Sequence, residues 1–370
     1  DWSSDVCSSD LVLAILVLVH ECGHFFFAKR FGIRVDEFGL GFPPKIWGKK
    51  FGETEYTINW IPFGGFVRIF GENPDDESLH GTDAQRAMVN KPRWKQAIVL
   101  FGGILFNFLF AWILISAVYA IGVPASRDDY AEYADRITDS RIAITQVNIG
   151  SPAEKAGLKA GDAIEKLVAG SIVLEKEAVT VPVIKDTLTR AGNPVTITIK
   201  RGQEEKNIIV TPEKGLFEQN KYAIGIAMED VGTMKLPVHL AVYEGGKFTL
   251  HMIAGVAEGL YTLIHGIVVG KPDLSSVSGP VGIAGLVGDA AKIGFTYLIM
   301  LTALISINLG VINLVPFPAL DGGRLFVLLI ESIRRKALRP RAINMMNTLG
   351  FVILLMIMLL VTFKDIFKYF

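Results

Sequence analysis

The chain has 370 residues, 51% of them hydrophobic and 20% charged, with 37 basic against 37 acidic side chains, two cysteines and a mean hydropathy of +0.41. The charge balance disfavours a basic nucleic-acid binder, two cysteines are too few for a disulfide scaffold, and the apolar fraction excludes a disordered chain. The apolar residues are gathered into a few long blocks, which points to a membrane.

Taken in chain order, residues 1–10 (DWSSDVCSSD) carry neither an initiator Met nor the basic start of a signal peptide, and they abut the apolar run abruptly. They are read as a doubtful, non-native leader and given no function. Residues 11–28 are apolar apart from His20, Glu21 and His24. Ionisable groups at that depth are costly, so they mark function. Within 35–70, the stretches 38–44, 56–60 and 62–69 read as short β segments separated by Gly and Pro turns. Residues 97–121, 294–317 and 342–363 are each free of charge and long enough for a span, which needs about 20 residues.

Between the second and third spans lies a soluble module, 138–213. Ile142–Val147 alternates like a strand, 151–166 reads as a short helix, a Gly turn and a strand, 182–191 as a helix, and 195–200 with 206–211 as a hairpin. Residues 236–292 are expected to form an amphipathic linker on the membrane, because Glu244, Lys247, His251, Glu258 and His265 would be costly in a crossing helix. Lys and Arg are densest in 29–96 and 324–348. Both loops should therefore be cytoplasmic, with 122–293 and the two termini on the outer side.

His20-Glu21-Cys22-Gly23-His24 is an H-E-x-x-H pattern on a predicted helix. Positions i and i+4 share a face, so two imidazoles can reach one Zn²⁺ with the glutamate close enough to act on water. Cys22 lies about 200° away from each histidine around the helix and faces elsewhere. A catalytic zinc takes three protein ligands, and the third must come from another span. Asn313-Leu-Val-Pro316-Phe-Pro318-Ala-Leu-Asp321-Gly-Gly offers one: the prolines break the helix and leave Asp321 on irregular backbone at the cytoplasmic end of span three, the depth reached by His20 and His24. Taken alone, Asp321 could instead cap a helix over 322–333, and Asn313 could bond a neighbouring helix.

Together, H-E-x-x-H in the first span, N-x-x-P-x-P-x-x-D-G over 313–322, a PDZ-type Ser151–Ile164 segment and Ser278-Gly-Pro-Val-Gly-Ile-Ala284 resemble the site-2 protease family, most closely its bacterial regulator-of-sigma-E protease group. The resemblance covers about residues 11–363. It implies a polytopic α-helical membrane protein of about four transmembrane helices, with membrane-associated β segments after helix 1 and one inserted PDZ-like α+β domain. The protease core would be split into 11–121 and 293–363. By the same resemblance His20, His24 and Asp321 hold zinc, Glu21 is the catalytic base, and Asn313 binds substrate or the oxyanion. The implied activity is intramembrane cleavage of single-pass membrane proteins, of the anti-sigma-factor or signal-peptide type, in a bacterial inner membrane. Some members carry two PDZ modules; this chain has room for one. That module would hold a peptide or keep large ectodomains away, and the β segments would either pair with an extended substrate or only brace the spans. An inactive membrane scaffold presenting the PDZ module and a metal transporter are the competing readings. The intact H-E-x-x-H plus Asp321 argues against the first, and the lack of a His-rich loop against the second.

Overall fold

The computed structural model describes residues 2–73, 76–127, 129–175, 178–202, 204–215, 221–270, 279–336, 338 and 340–369. In chain order its main elements are α1 (Trp2–Arg30), β1 (Val35–Phe51), β2 (Thr54–Ile69) and α2 (Arg93–Ile121). There follow β3 (Val123–Ser126), β4 (Ile137–Val147), α3 (Pro152–Lys155), β5 (Ala163–Ala169), β6 (Ile172–Glu175), α4 (Val181–Arg190), β7 (Val195–Arg201), β8 (Glu204–Val210) and β9 (Ile226–Met234). The last five are α5 (Val238–Val268), α6 (Pro280–Ile293), α7 (Phe295–Leu314), α8 (Asp321–Arg334) and α9 (Pro340–Tyr369). The chain divides into two compact units, one made of 1–118 with 238–370 and the other of 119–237.

In the first unit, five helices among the described residues are long and apolar enough to cross a membrane, where the sequence suggested four. The added one is α5, inside the expected amphipathic linker. Two of the charges held against it, Glu244 and Lys247, form an i,i+3 ion pair of 3.1 Å, which lowers the cost that each would carry alone. Residues 2–10 continue α1 as helix, while Asp1 and Ser278 lie outside the described residues.

Helices α1 and α2 are antiparallel and pack through glycine. A Cβ on Gly23 would lie 2.2 Å from the Gly102 carbonyl oxygen, so only glycine allows that approach. Val12 and Leu16 of α1 are buried with Val287 of α6 and pack against Leu298, Leu301 and Ile305 of α7. Ala28, Ile33, Val35, Ile69, Val99 and Leu100 form a second core that joins the end of α1 to the β strands and to α2. Asp365 of α9 is buried, and its Oδ2 accepts from the N–H groups of Gly279 and Gly282, capping α6 from across the sequence.

Strands β1 and β2 fold back on themselves. Residues 37–40 pair with 55–58 on one side and with 65–68 on the other, while 45–51 pair with 54–59 again. The order across the sheet is therefore 45–51, 54–59, 35–40, 65–69. Among the described residues 65–69 has no further strand beside it, so it is an edge.

The second unit is larger than the expected 138–213. Its seven-stranded sheet runs β3-β9-β4-β5-β7-β8, with β6 against β5. β9 inserts antiparallel between β3 and β4. Its Met-Glu-Asp-Val-Gly centre breaks apolar alternation, which hides it in the sequence. The core is Ile142, Ile144, Leu167, Ile184, Leu188, Val195, Ile197 and Ile199. Asp162, 1% exposed, receives Arg201 in a fork of 2.7 and 2.8 Å and also the Lys159 N–H at 2.8 Å. That hydrogen-bonded carboxylate holds the Arg201 guanidinium above its ordinary pKa.

Candidate metal centre and active site

His20 and His24 lie one helical turn apart on α1, both 7% exposed. Asp321 reaches them from the first residue of α8. Helix α7 stops at Leu314, three residues before the sequence expectation, and Pro316 and Pro318 keep 315–320 out of helix. Ala319 takes a left-handed φ of 74°. A Cβ at Gly322 would sit 2.3 Å from the Val315 oxygen, and one at Gly323 2.1 Å from the Phe317 oxygen. The two glycines therefore let the loop fold back tightly on the start of α8. Asp321 is helical and makes no side-chain cap, so the capping alternative does not describe it.

Asp321 Oδ2 lies 3.0 Å from His20 Nε2 and 3.2 Å from His24 Nε2, and the two Nε2 atoms are 3.1 Å apart. Ligands about 2.0–2.1 Å from a tetrahedral zinc sit about 3.3 Å from one another, close to the edges of this triangle. The buried Oδ2 has no hydrogen-bond donor among the described residues. His24 Nδ1 donates to the Val99 carbonyl at 2.9 Å, which leaves its Nε2 as a lone pair directed into the triangle. An orphaned carboxylate oxygen facing imidazole nitrogens at this spacing fits a metal ion better than it fits a hydrogen-bond network. It is the one cluster of three or more metal-capable side chains of this kind among the described residues.

A cavity of about 350 Å³ opens beside the triangle, lined by His20, Glu21, His24, Val67, Asn313 and Asp321 among others. All five residues singled out in the sequence thus border one space, and Cys22 does not. Glu21 Oε2 accepts from the Val67 N–H at 3.0 Å, which ties the glutamate to the edge segment 65–69. Arg324, one turn after Asp321, is paired with Glu72 just beyond that segment and donates to Asn73 at 2.8 Å.

The residues that sequence reading missed are on α2. Beyond the Val99 carbonyl, Gly103 lies under both imidazoles: a Cβ there would be 2.5 Å from His24 Nε2 and 2.7 Å from His20 Cε1. Asn107, fully buried, places Nδ2 3.1 Å from His20 Nδ1. The available signal was a Gly102-Gly103 pair and a lone Asn in an uncharged span, which on its own reads as packing and an interhelical bond.

The model of peptidase family M50 matches residues 10–357. A protein of Clostridium perfringens named "Putative zinc metalloprotease" is 37% identical over 358 residues, covering 96% of each chain. A second protein of that name, from Clostridium acetobutylicum, is 31% identical with 96% of this chain and 95% of its own length covered. The zinc metalloprotease RasP of Geobacillus kaustophilus is 28% identical over 440 aligned positions, covering 99% and 98% of the two chains. With nearly its whole length matched, and the histidines of the H-E-x-x-H pattern brought together with Asp321 in one cluster, the chain belongs to peptidase family M50.

Proposed function

We propose that the protein is a zinc-dependent intramembrane endopeptidase that cuts peptide bonds in the membrane segments of single-pass proteins. The observation that carries this reading is the buried triangle of His20 Nε2, His24 Nε2 and Asp321 Oδ2, set beside Glu21 within a helix apolar enough to span a bilayer. His20, His24 and Asp321 would hold the ion. Zinc, when bound, supplies Lewis-acid chemistry, activating water near neutral pH and polarising the scissile carbonyl. Glu21 takes the proton of the attacking water and delivers it to the departing amine nitrogen. The Asn313 carboxamide donates to the oxygen on which negative charge develops.

A helical substrate hides its carbonyls, so it must unwind before it can be cut. The edge segment 65–69 beside Glu21 offers backbone groups to an extended strand. This favours pairing over mere bracing as the role of the β segments.

The same geometry bears on topology. The Val12 and Leu16 end of α1 packs on the early part of α7, and the His24 end meets Asp321 just beyond α7, so α1 and α7 run parallel. Each crossing reverses direction, so parallel spans require an odd number of crossings between them. With α2 crossing once, α5 cannot be a lone crossing as well. We therefore assign four crossings, α1, α2, α7 and α9, with α5 on the outer membrane face. Loops 29–96 and 324–348 then share the cytoplasmic side of a bacterial inner membrane, and 119–237 lies outside. That outer domain is PDZ-like on this reading. A cavity of about 330 Å³ between α4 and the start of β9, lined by Leu188, Ile224 and Ile226, is where a peptide would be held.

The test is hydrolysis of a purified single-pass membrane protein, with an anti-sigma factor and a remnant signal peptide as the two substrate types. Cleavage should be lost on zinc chelation, restored by zinc and absent in Glu21→Gln. Cleavage that persists in Glu21→Gln would overturn the assignment.

A further inference from the structure

Helix α2 contributes no ligand to the triangle, yet it touches both histidines from behind. At positions 99, 103 and 107, one turn apart, it presents a carbonyl to His24 Nδ1, a bare glycine beneath the two rings and a carboxamide to His20 Nδ1. We propose that Asn107 is the positioning residue of the metal site: its side-chain oxygen accepts a hydrogen bond from His20 Nδ1–H and so holds the ring in the tautomer that leaves Nε2 free for zinc. The inference rests on the metal reading above and adds to it a residue outside the ligand set.

The chemistry requires this orientation. The Asn107 carboxamide places Nδ2 3.1 Å from His20 Nδ1 and leaves Oδ1 buried with no partner among the described residues. If Nδ2 donated, Nδ1 would carry the lone pair, the neutral ring's proton would sit on Nε2, and that proton would point at His24 Nε2 and Asp321 Oδ2. Turning the amide by 180°, which exchanges two atoms of nearly equal size, removes both faults and moves Nδ2 to the position where Oδ1 found no donor. Oδ1 gains a donor, and His20 presents a lone pair as His24 already does through the Val99 carbonyl. The mount is rigid. Asn107 is fully buried, and its backbone carbonyl accepts from Ser306 Oγ at 2.8 Å, which joins α2 to α7 behind the site. That contact is to the backbone, so replacing the side chain leaves it in place.

Zinc affinity, measured by competition with a chelator on the full-length protein in detergent, separates this role from a structural one. Asn107→Leu, of similar size without polar atoms, should bind zinc about 10–100-fold more weakly. Asn107→Asp can accept and cannot donate, so it should stay within about threefold of wild type. Equal affinity in Asn107→Leu and wild type would overturn the proposal, as would a loss in Asn107→Asp as large as in Asn107→Leu, because Nδ2 would then be the working atom. Should either variant fail to fold, the wild-type chain gives a second readout. Imidazole ¹⁵N spectra of the metal-free protein at alkaline pH, with His20 assigned through His20→Ala, should show its proton on Nδ1; a proton on Nε2 would overturn the proposal. A wild-type chain that binds no zinc would sink the metal reading itself, a result distinct from either of these.

Discussion

Each of the two units buries a carboxylate oxygen of an aspartate among potential partners, and the two are treated in opposite ways. In the inserted unit Asp162 is satisfied on both oxygens by the Arg201 fork and the Lys159 amide. In the membrane unit Asp321 Oδ2 stands 3.0 and 3.2 Å from two imidazole nitrogens with no donor. A satisfied charge fixes a turn to a hairpin and has no capacity left for chemistry. An orphaned one costs stability until a cation arrives, and that cost is the signature of a site.

The largest expected effects lie at the orphaned end of this comparison. Glu21→Gln keeps the shape and removes the base, and turnover should fall by about 10²–10⁴-fold with zinc still bound. Asp321→Asn should abolish both zinc retention and peptide hydrolysis while leaving the metal-free chain as stable as wild type or more so, read by thermal unfolding with chelator present. Metal-free Asp321→Asn unfolding well below wild type would mean that Asp321, like Asp162, is a structural charge, and the comparison would break.

At the satisfied end the signs reverse. Arg201→Met leaves the Asp162 carboxylate buried and short of two hydrogen bonds, at a cost of about 3 kcal/mol to the inserted unit. The membrane unit's zinc content should be unchanged. Adding Asp162→Leu should recover part of the loss, since an apolar pair can stand in for a buried ion pair but nothing apolar can stand in for a ligand. Denaturant unfolding of the two variants side by side checks this, and a harmless Arg201→Met would contradict it.

The residues proposed to hold the metal and act on it stand out in the sequence because lipid makes polarity conspicuous. Two histidines and a glutamate at helical spacing, and an aspartate after two prolines, stand out in apolar runs. The residues that hold those ligands were not legible. Val99 acts through its carbonyl, Gly103 through the absence of a side chain, and Asn107 through one amide in a span, none of which differs in sequence from ordinary helix packing. The edge at 65–69 was hidden for another reason, since strand alternation does not report which side remains unpaired. In the insert, the hairpin and α4 were readable from period and turns, whereas β9 follows a long excursion and alternates poorly.

Gly103→Ala probes the support from behind the metal. The added methyl would lie 2.5 Å from His24 Nε2 and 2.7 Å from His20 Cε1, closer than real contacts allow, so α2 or the rings must move by several tenths of an ångström. Ligand geometry rather than folding should suffer first. Zinc affinity is expected to drop about tenfold by chelator competition, in line with the loss of an outer support. A variant that binds zinc as tightly as wild type would show that the rings are not held from α2.

The smallest effect is expected at Ala319, and it sharpens the contrast between the two units most finely. In the insert, left-handed turns at 157 and 161 fall on glycine, which adopts them without strain, and the one at 139 falls on aspartate, which tolerates that region better than alanine does. Two residues before Asp321 the same conformation, φ 74°, falls on alanine, at a cost of roughly 1 kcal/mol. Ala319→Gly removes the strain but also frees the unfolded chain, a loss of about 0.4–1 kcal/mol, so the net change in stability should be within 1 kcal/mol of zero. Glycine also widens the conformations open to the loop that carries Asp321. The metal-free melting temperature should therefore hardly move while zinc affinity falls a few-fold. Equal affinity would mean that Pro316, Pro318 and the packing of Gly322 and Gly323 fix the aspartate by themselves, and that alanine at 319 adds nothing to the ligand's placement.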